Sequence, residues 1–156
     1  MGQTLSDLPL AVFLRGSAWA YPTLETVHLI AIALLFGSIV VVDLRILGLS
    51  RDLSLTRLAA HALPWTLAAF ALAAASGLLL FIAHAADLIG NRVFLIKVGL
   101  IMAAGANAAL FHTGPWGSVA QWDTRASAPS GARVMAAASI ILWVGVITCG
   151  RWIAYA

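Results

Sequence analysis

Apolar residues in this chain form long runs that polar positions merely punctuate. The first run extends from Tyr21 to Val42, broken only by Glu25 and His28 and closed by Asp43 and Arg45. The second, Ala62 to Ala83, contains no charge; the third, Val93 to Phe111, contains Lys97; the fourth, Val134 to Tyr155, contains Arg151. Crossing ~30 Å of hydrocarbon takes about 20 helical residues, so each run is long enough to span a bilayer. Period-two alternation is absent and Ala and Leu dominate, which favours helices over a barrel. The expectation is an all-α integral membrane four-helix bundle, one transmembrane domain over residues 1–156.

Before the first span, Ser6 and Asp7 could cap a short helix with Pro9 in its first turn, continuing through Leu10, Val12, Phe13 and Leu14. Such a helix suits the membrane surface, with Trp19 and Tyr21 at interfacial depth. Ala18-Trp19-Ala20 has the small-x-small shape of a signal-peptide cleavage site, but no Lys or Arg precedes Arg15 and the apolar stretch is short. Between the last two spans, Thr113 to Ala132 is rich in Gly and Pro and reads as irregular, with Trp116 and Trp122 as interface anchors.

Composition agrees with a lipid environment: of 156 residues, 62% are hydrophobic and 10% charged, too few charges to coat a soluble domain. The net charge of +3 comes from Lys and Arg scattered singly, with no basic patch of the kind that binds nucleic acid. Arg45, Arg51 and Arg57 join spans one and two, and Arg125 and Arg133 join spans three and four. The positive-inside rule makes that face cytoplasmic and puts both termini outside. Cys149 alone excludes an internal disulfide. Clusters of Ala, Ser and Gly in the second and third spans (Ala71–Gly77 and Ala103–Ala109) allow close helix approach.

Ionisable residues inside a span are costly and so count as functional candidates. Glu25 and His28 share one face of the first helix. An ion pair from Glu25 to Lys97 or Arg151 would tie three helices into a structural polar cluster; the alternative is that both bases extend to the headgroups. Asp43 and Arg45 read as an interfacial anchor, and Asn107 as an interhelical hydrogen-bonding group.

The four histidines fall into two cross-helix pairs, His28 with His84 outside and His61 with His112 inside. Paired imidazoles could clamp a b-type haem, with Lys97, Arg92 or Arg151 meeting its propionates. His28 and His84 are also the better metal ligands, and Met102 and Met135 offer thioethers for copper. Interfacial or packing histidines are the competing explanation. No nucleophile with a base, phosphate loop or carboxylate pair points to an enzyme acting alone. The readings are therefore a small haem electron-transfer subunit, a cofactor-free assembly subunit of a larger or self-associating complex, or a small oligomeric ion or metal transporter.

Several motifs together resemble a family of small, four-span bacterial inner-membrane proteins of uncharacterised function. They are Trp19 with Tyr21-Pro22, Glu25 and His28; Asp43-Leu44-Arg45-Ile46-Leu47-Gly48-Leu49; Leu63-Pro64-Trp65; Ser76-Gly77 with Leu79-Leu80-Phe81; Phe94 with Lys97; Asn107 with Phe111-His112; and Gly150-Arg151-Trp152-Ile153-Ala154-Tyr155. The resemblance covers nearly the whole chain and implies fold and bacterial inner-membrane location rather than an activity. His61 and His84 lie outside its pattern, which leaves room for at most one haem.

Overall fold

The computed structural model describes residues 5–155. Among them every regular element is helical: α1 (Pro9–Gly16), α2 (Ala20–Leu47), α3 (Leu55–Ala83), the single turn α4 (Ala85–Leu88), α5 (Arg92–Thr113) and α6 (Ser130–Trp152), with 3₁₀ segments at Pro115–Gln121 and Ile153–Tyr155. Four helices are long and apolar enough to cross a membrane, with peak mean hydropathy between 1.9 and 2.4. Their flanks carry exposed Leu29, Leu34, Leu67, Ile96, Met102 and Ile141, a surface suited to lipid contact.

Two antiparallel pairs, α2 with α3 and α5 with α6, join where α2 packs on α6. α3 and α5 do not pack along their length; the stacked rings of Phe81 and Phe94, 5.3 Å between centroids, link them. The bundle is thus closely packed on three sides and more loosely on the fourth, where side chains meet. The bundle has a Tyr21 end, where α2 and α5 begin, and an Arg45 end, where the 48–54 and 114–129 connections lie.

At the Tyr21 end α1 folds against α2 and α3. The Arg15 guanidinium donates to the carbonyls of Ala83 and Ser6, satisfying a carbonyl that the end of α3 would leave bare. The structure corrects the expected cap: Leu8 occupies the N-cap without a side-chain bond, and the Ser6 hydroxyl instead accepts from the Ala86 N–H at 3.1 Å.

At the Arg45 end, a core of Ile46, Leu55, Phe111, Trp122, Ala128, Ala132 and Ala136 packs beneath the loops. Trp122 is buried here, its indole N–H donating to Ser118 Oγ at 3.1 Å, and is not an interface anchor. α2 runs on to Leu47 and ends in a left-handed Gly48, φ 115°, whose N–H returns to the Leu44 and Arg45 carbonyls. A Cβ there would stand 2.8 Å from the Arg51 guanidinium, so glycine is required twice over.

Arg45 is 3% exposed, which overturns its reading as an interfacial anchor. Its Nε donates to the Leu53 carbonyl at 2.7 Å, and one terminal nitrogen donates to the Arg51 and Asp123 carbonyls at 3.0 and 2.8 Å. One side chain therefore clamps both loops of this end. Asp123 completes the joint by capping α3 from the other loop: its carboxylate accepts from the Thr56 N–H at 2.7 Å and the Ser54 hydroxyl at 2.9 Å. These bonds, the Thr56 N–H first, hold the Asp123 carboxyl below the usual carboxylate range.

A depressed folded-state pKa stabilises the fold above the unfolded value, about 4, and that contribution is lost as pH falls through the lower folded value. Asp123→Ala is therefore expected to cost about 1 kcal/mol near neutral pH, as loss of a cap does. Apparent melting temperatures in detergent should show the gap to wild type narrowing in acid; a gap that does not vary with pH would contradict this role.

Candidate functional site

Near the Tyr21 end the four long helices bring His28, Ser76, Gly77, Lys97, Cys149 and Gly150 together. α2 supplies His28, eight residues from its start, where α3 presents Ser76 and Gly77. The His28 Nδ1 lies 2.8 Å from Ser76 Oγ. The Ser76 hydroxyl is already committed, donating to the Leu72 carbonyl at 2.6 Å. With that bond in place the His28 ring donates from Nδ1, and in its neutral form Nε2 is the acceptor. The ring lies over a glycine: a Cβ on Gly77 would stand 2.9 Å from His28 Cε1.

Gly77→Ala is accordingly expected to push His28 off Ser76 or part α2 from α3, costing about 1–2 kcal/mol. The double-mutant cycle with His28→Ala checks the contact: the pair should cost clearly less than the sum of the single changes. Strict additivity would mean that the two residues do not touch.

Lys97 enters from α5, half-buried and opposite this ring. Its side chain runs along α6, Nζ 3.6 Å and Cε 3.8 Å from where a Cβ on Gly150 would stand, and Cys149 is the adjoining residue. The ammonium and the His28 ring are close enough to interact electrostatically. Among the described residues Lys97 makes no hydrogen bond and no ion pair; the one ion pair there is Arg125 with Asp52, at 3.9 Å on the surface. Glu25 is exposed on α2, one turn from His28, and pairs with neither Lys97 nor Arg151. Arg151 instead donates to the Tyr155 hydroxyl at 2.7 Å and lies over its ring.

The other histidines stand apart. His84 ends α3 with its ring edge-on to Tyr21, 5.2 Å between centroids. Eight residues of helix separate it from Ser76, roughly 12 Å at 1.5 Å per residue, so His84 and His28 occupy different levels and do not face a common centre. His61 is exposed, one turn inside α3 from Arg57, by the surface groove that Asp52, Ser54 and Asp123 also line. His112 is exposed, its Nδ1 2.8 Å from the Ala108 carbonyl, its ring against Phe111 and Trp116. The described residues contain no group of three or more His, Cys, Asp or Glu placed to hold a metal. Arg92, Met102 and Arg133 are exposed, and Met135 packs on the Arg45-end core. Asn107 makes the interhelical bond its place in an apolar span implies, donating to the Met135 carbonyl at 3.0 Å.

Reasoning from the sequence singled out His28 and Lys97 but not Ser76, Gly77 or Gly150 as their setting. The available signal was the pair of glycines, each in the same half of its span as a charged or imidazole side chain on a neighbouring helix. Among the described residues the site so assembled is an ammonium donor without an acid, within electrostatic reach of an imidazole.

The model of a family of unknown function (DUF6644) matches residues 14–156, and the chain belongs to that family. No curated protein and no solved structure matches it.

Proposed function

We propose that this member of the family is a multi-pass membrane protein that binds the head group of an amphiphilic weak acid entering from the bilayer between α3 and α5. Lys97 holds the acid's anionic oxygen, and His28 Nε2 accepts its proton. The observation that carries this reading is the half-buried Lys97 ammonium, which lies along Gly150 within electrostatic reach of His28 and, among the described residues, has no acid of its own. A cation inside a span is costly unless something compensates it, and a ligand anion would do so. The loosely packed α3–α5 side, bridged by the Phe81 and Phe94 rings, is where an apolar tail would enter from lipid.

In this reading the Tyr21 end faces outward, because Arg45, Arg51, Arg57, Arg125 and Arg133 gather at the other end, and the membrane is a bacterial inner membrane. The protein works as a binding subunit. Its test uses palmitate as the probe and methyl palmitate, which has neither the charge nor the proton, as the control. Native mass spectrometry of the detergent-purified protein should show palmitate retained in a one-to-one complex and the ester not. Equal retention of both would overturn the reading. So would a Soret band that shifts on reduction, which would assign the histidines to haem.

A further inference from the structure

A second polar group lies buried in the bundle, far from Lys97 and without a role in the proposed binding. Asp43 sits in α2 where that helix packs on α6, and only 8% of it is exposed. Ser139 of α6 is the polar side chain nearest to act on its carboxyl. One carboxyl oxygen, Oδ2, is buried with no hydrogen-bond partner. Around it the seam is apolar, with Val42 and Ile46 of α2 and Met135 and Ala136 of α6 in one packed cluster. Asp43 is therefore not the interfacial anchor its place in the sequence implies.

Among the described residues no cation compensates this carboxyl. Arg45, on the same helix, spends its nitrogens on the carbonyls of Leu53, Arg51 and Asp123. The ionisable groups in the same half of the packed helices, Arg57 and His61 of α3, His112 of α5 and Arg133 of α6, are all exposed. An ionised carboxylate with an unpartnered oxygen in an apolar seam is strongly disfavoured, and such a group neutralises instead of remaining charged. A metal cation is the poorer alternative, since hard cations require about six oxygen ligands and this seam offers the carboxyl and one hydroxyl.

We propose that Asp43 is a proton-binding site of the bundle, a neutral carboxylic acid beside Ser139 in the seam between α2 and α6. Its ligand is the proton itself. The neutral acid explains how the bare oxygen is tolerated, because removing the charge leaves a group little more demanding than an amide. It also places a proton store near the Arg45 end, at the opposite end of α2 from His28. The inference rests on the α2–α6 packing and stands whether or not Lys97 binds an acid.

The test is infrared spectroscopy of the full chain in lipid vesicles near neutral pH, with Asp43→Asn and Ser139→Ala. The wild type should show the carbonyl stretch of a neutral carboxylic acid, and Asp43→Asn should abolish it while preserving the fold, since an amide is close in shape to the neutral acid. Ser139→Ala should move that band to higher frequency by removing the neighbouring hydroxyl, which assigns the band even where Asp43→Asn folds poorly. Dicyclohexylcarbodiimide, which attacks protonated carboxyls in apolar settings, should modify Asp43 near neutral pH. Absence of a neutral-acid band, or a carboxylate band at Asp43 that responds to sodium, would overturn the proposal.

Discussion

Replacing Arg45 with alanine is expected to lower the apparent melting temperature of the detergent-solubilised protein by on the order of 10 °C. The guanidinium is buried and joins three backbone carbonyls, two in the 48–54 connection and one at Asp123. Hydrogen bonds from a charged donor contribute roughly 1.5–3 kcal/mol each, and removing the donor also leaves acceptors without a partner. Even with water relieving part of that cost, the sum is about 3 kcal/mol or more. Loss should spread from the loops, because the Asp123 cap on α3, the Leu55 N–H to Asp123 carbonyl bond and the Arg125 N–H to Arg51 carbonyl bond all depend on the same register. Arg45→Lys should recover only part of the loss: a lysine retains the charge, but its single nitrogen cannot reproduce the planar fork that reaches both loops. Circular dichroism melts of the two variants check this, and a lysine variant as stable as wild type would contradict the clamp.

The second large effect is on binding. Lys97→Met is expected to weaken palmitate retention by about tenfold to a hundredfold, which corresponds to the roughly 1.5–3 kcal/mol of a hydrogen bond to a charged group. The methionine has nearly the length of the lysine stem and can lie along Gly150, so the fold should hold, and loss of an uncompensated cation from a span should leave the melting temperature unchanged or raise it. Stability and binding thus move in different directions, a separation that a purely structural lysine would not produce. His28→Ala should weaken binding less, through the lost acceptor, and Gly150→Leu should block the path of the lysine side chain and mimic Lys97→Met. A Lys97→Met protein that binds palmitate like wild type would show that the ammonium simply extends to the headgroups.

The helical class and four long apolar helices were legible in the sequence because each run is at least close to the length a span needs. Their ends were not. The second apolar run reads from Ala62, yet α3 begins at Leu55, seven residues earlier, since Arg57 and His61 face outward while Asp123 from a distant loop caps the first turn. Arg45 and Asp43 looked like a polar stop after the first span. Their burial was invisible because the partners of Arg45 are backbone carbonyls, which carry no sequence signature, and Asp43 is enclosed by apolar side chains of α2 and α6. In the candidate site, His28 and Lys97 stood out as ionisable residues in apolar runs, but the histidine pairing was suggested by depth alone. Depth could not reveal that Ser76 and Gly77 hold the His28 ring on α3 while Tyr21 receives that of His84, two turns away. The small residues were seen as packing; only the fold shows that Gly77 and Gly150 lie beneath the two polar side chains.

Binding as proposed requires an acidic head group to reach Lys97 through the loosely packed α3–α5 side of the bundle. Photo-cross-linking in vesicles with a fatty acid carrying a diazirine near its carboxyl end, followed by peptide mapping, tests this most directly. The expected adducts cluster on Gly77–Phe81 of α3 and Phe94–Leu100 of α5, are displaced by excess palmitate and disappear in Lys97→Met. Adducts spread evenly over the exposed apolar flanks, on Leu29 and Ile141 as much as on α3 and α5, and indifferent to Lys97, would contradict it.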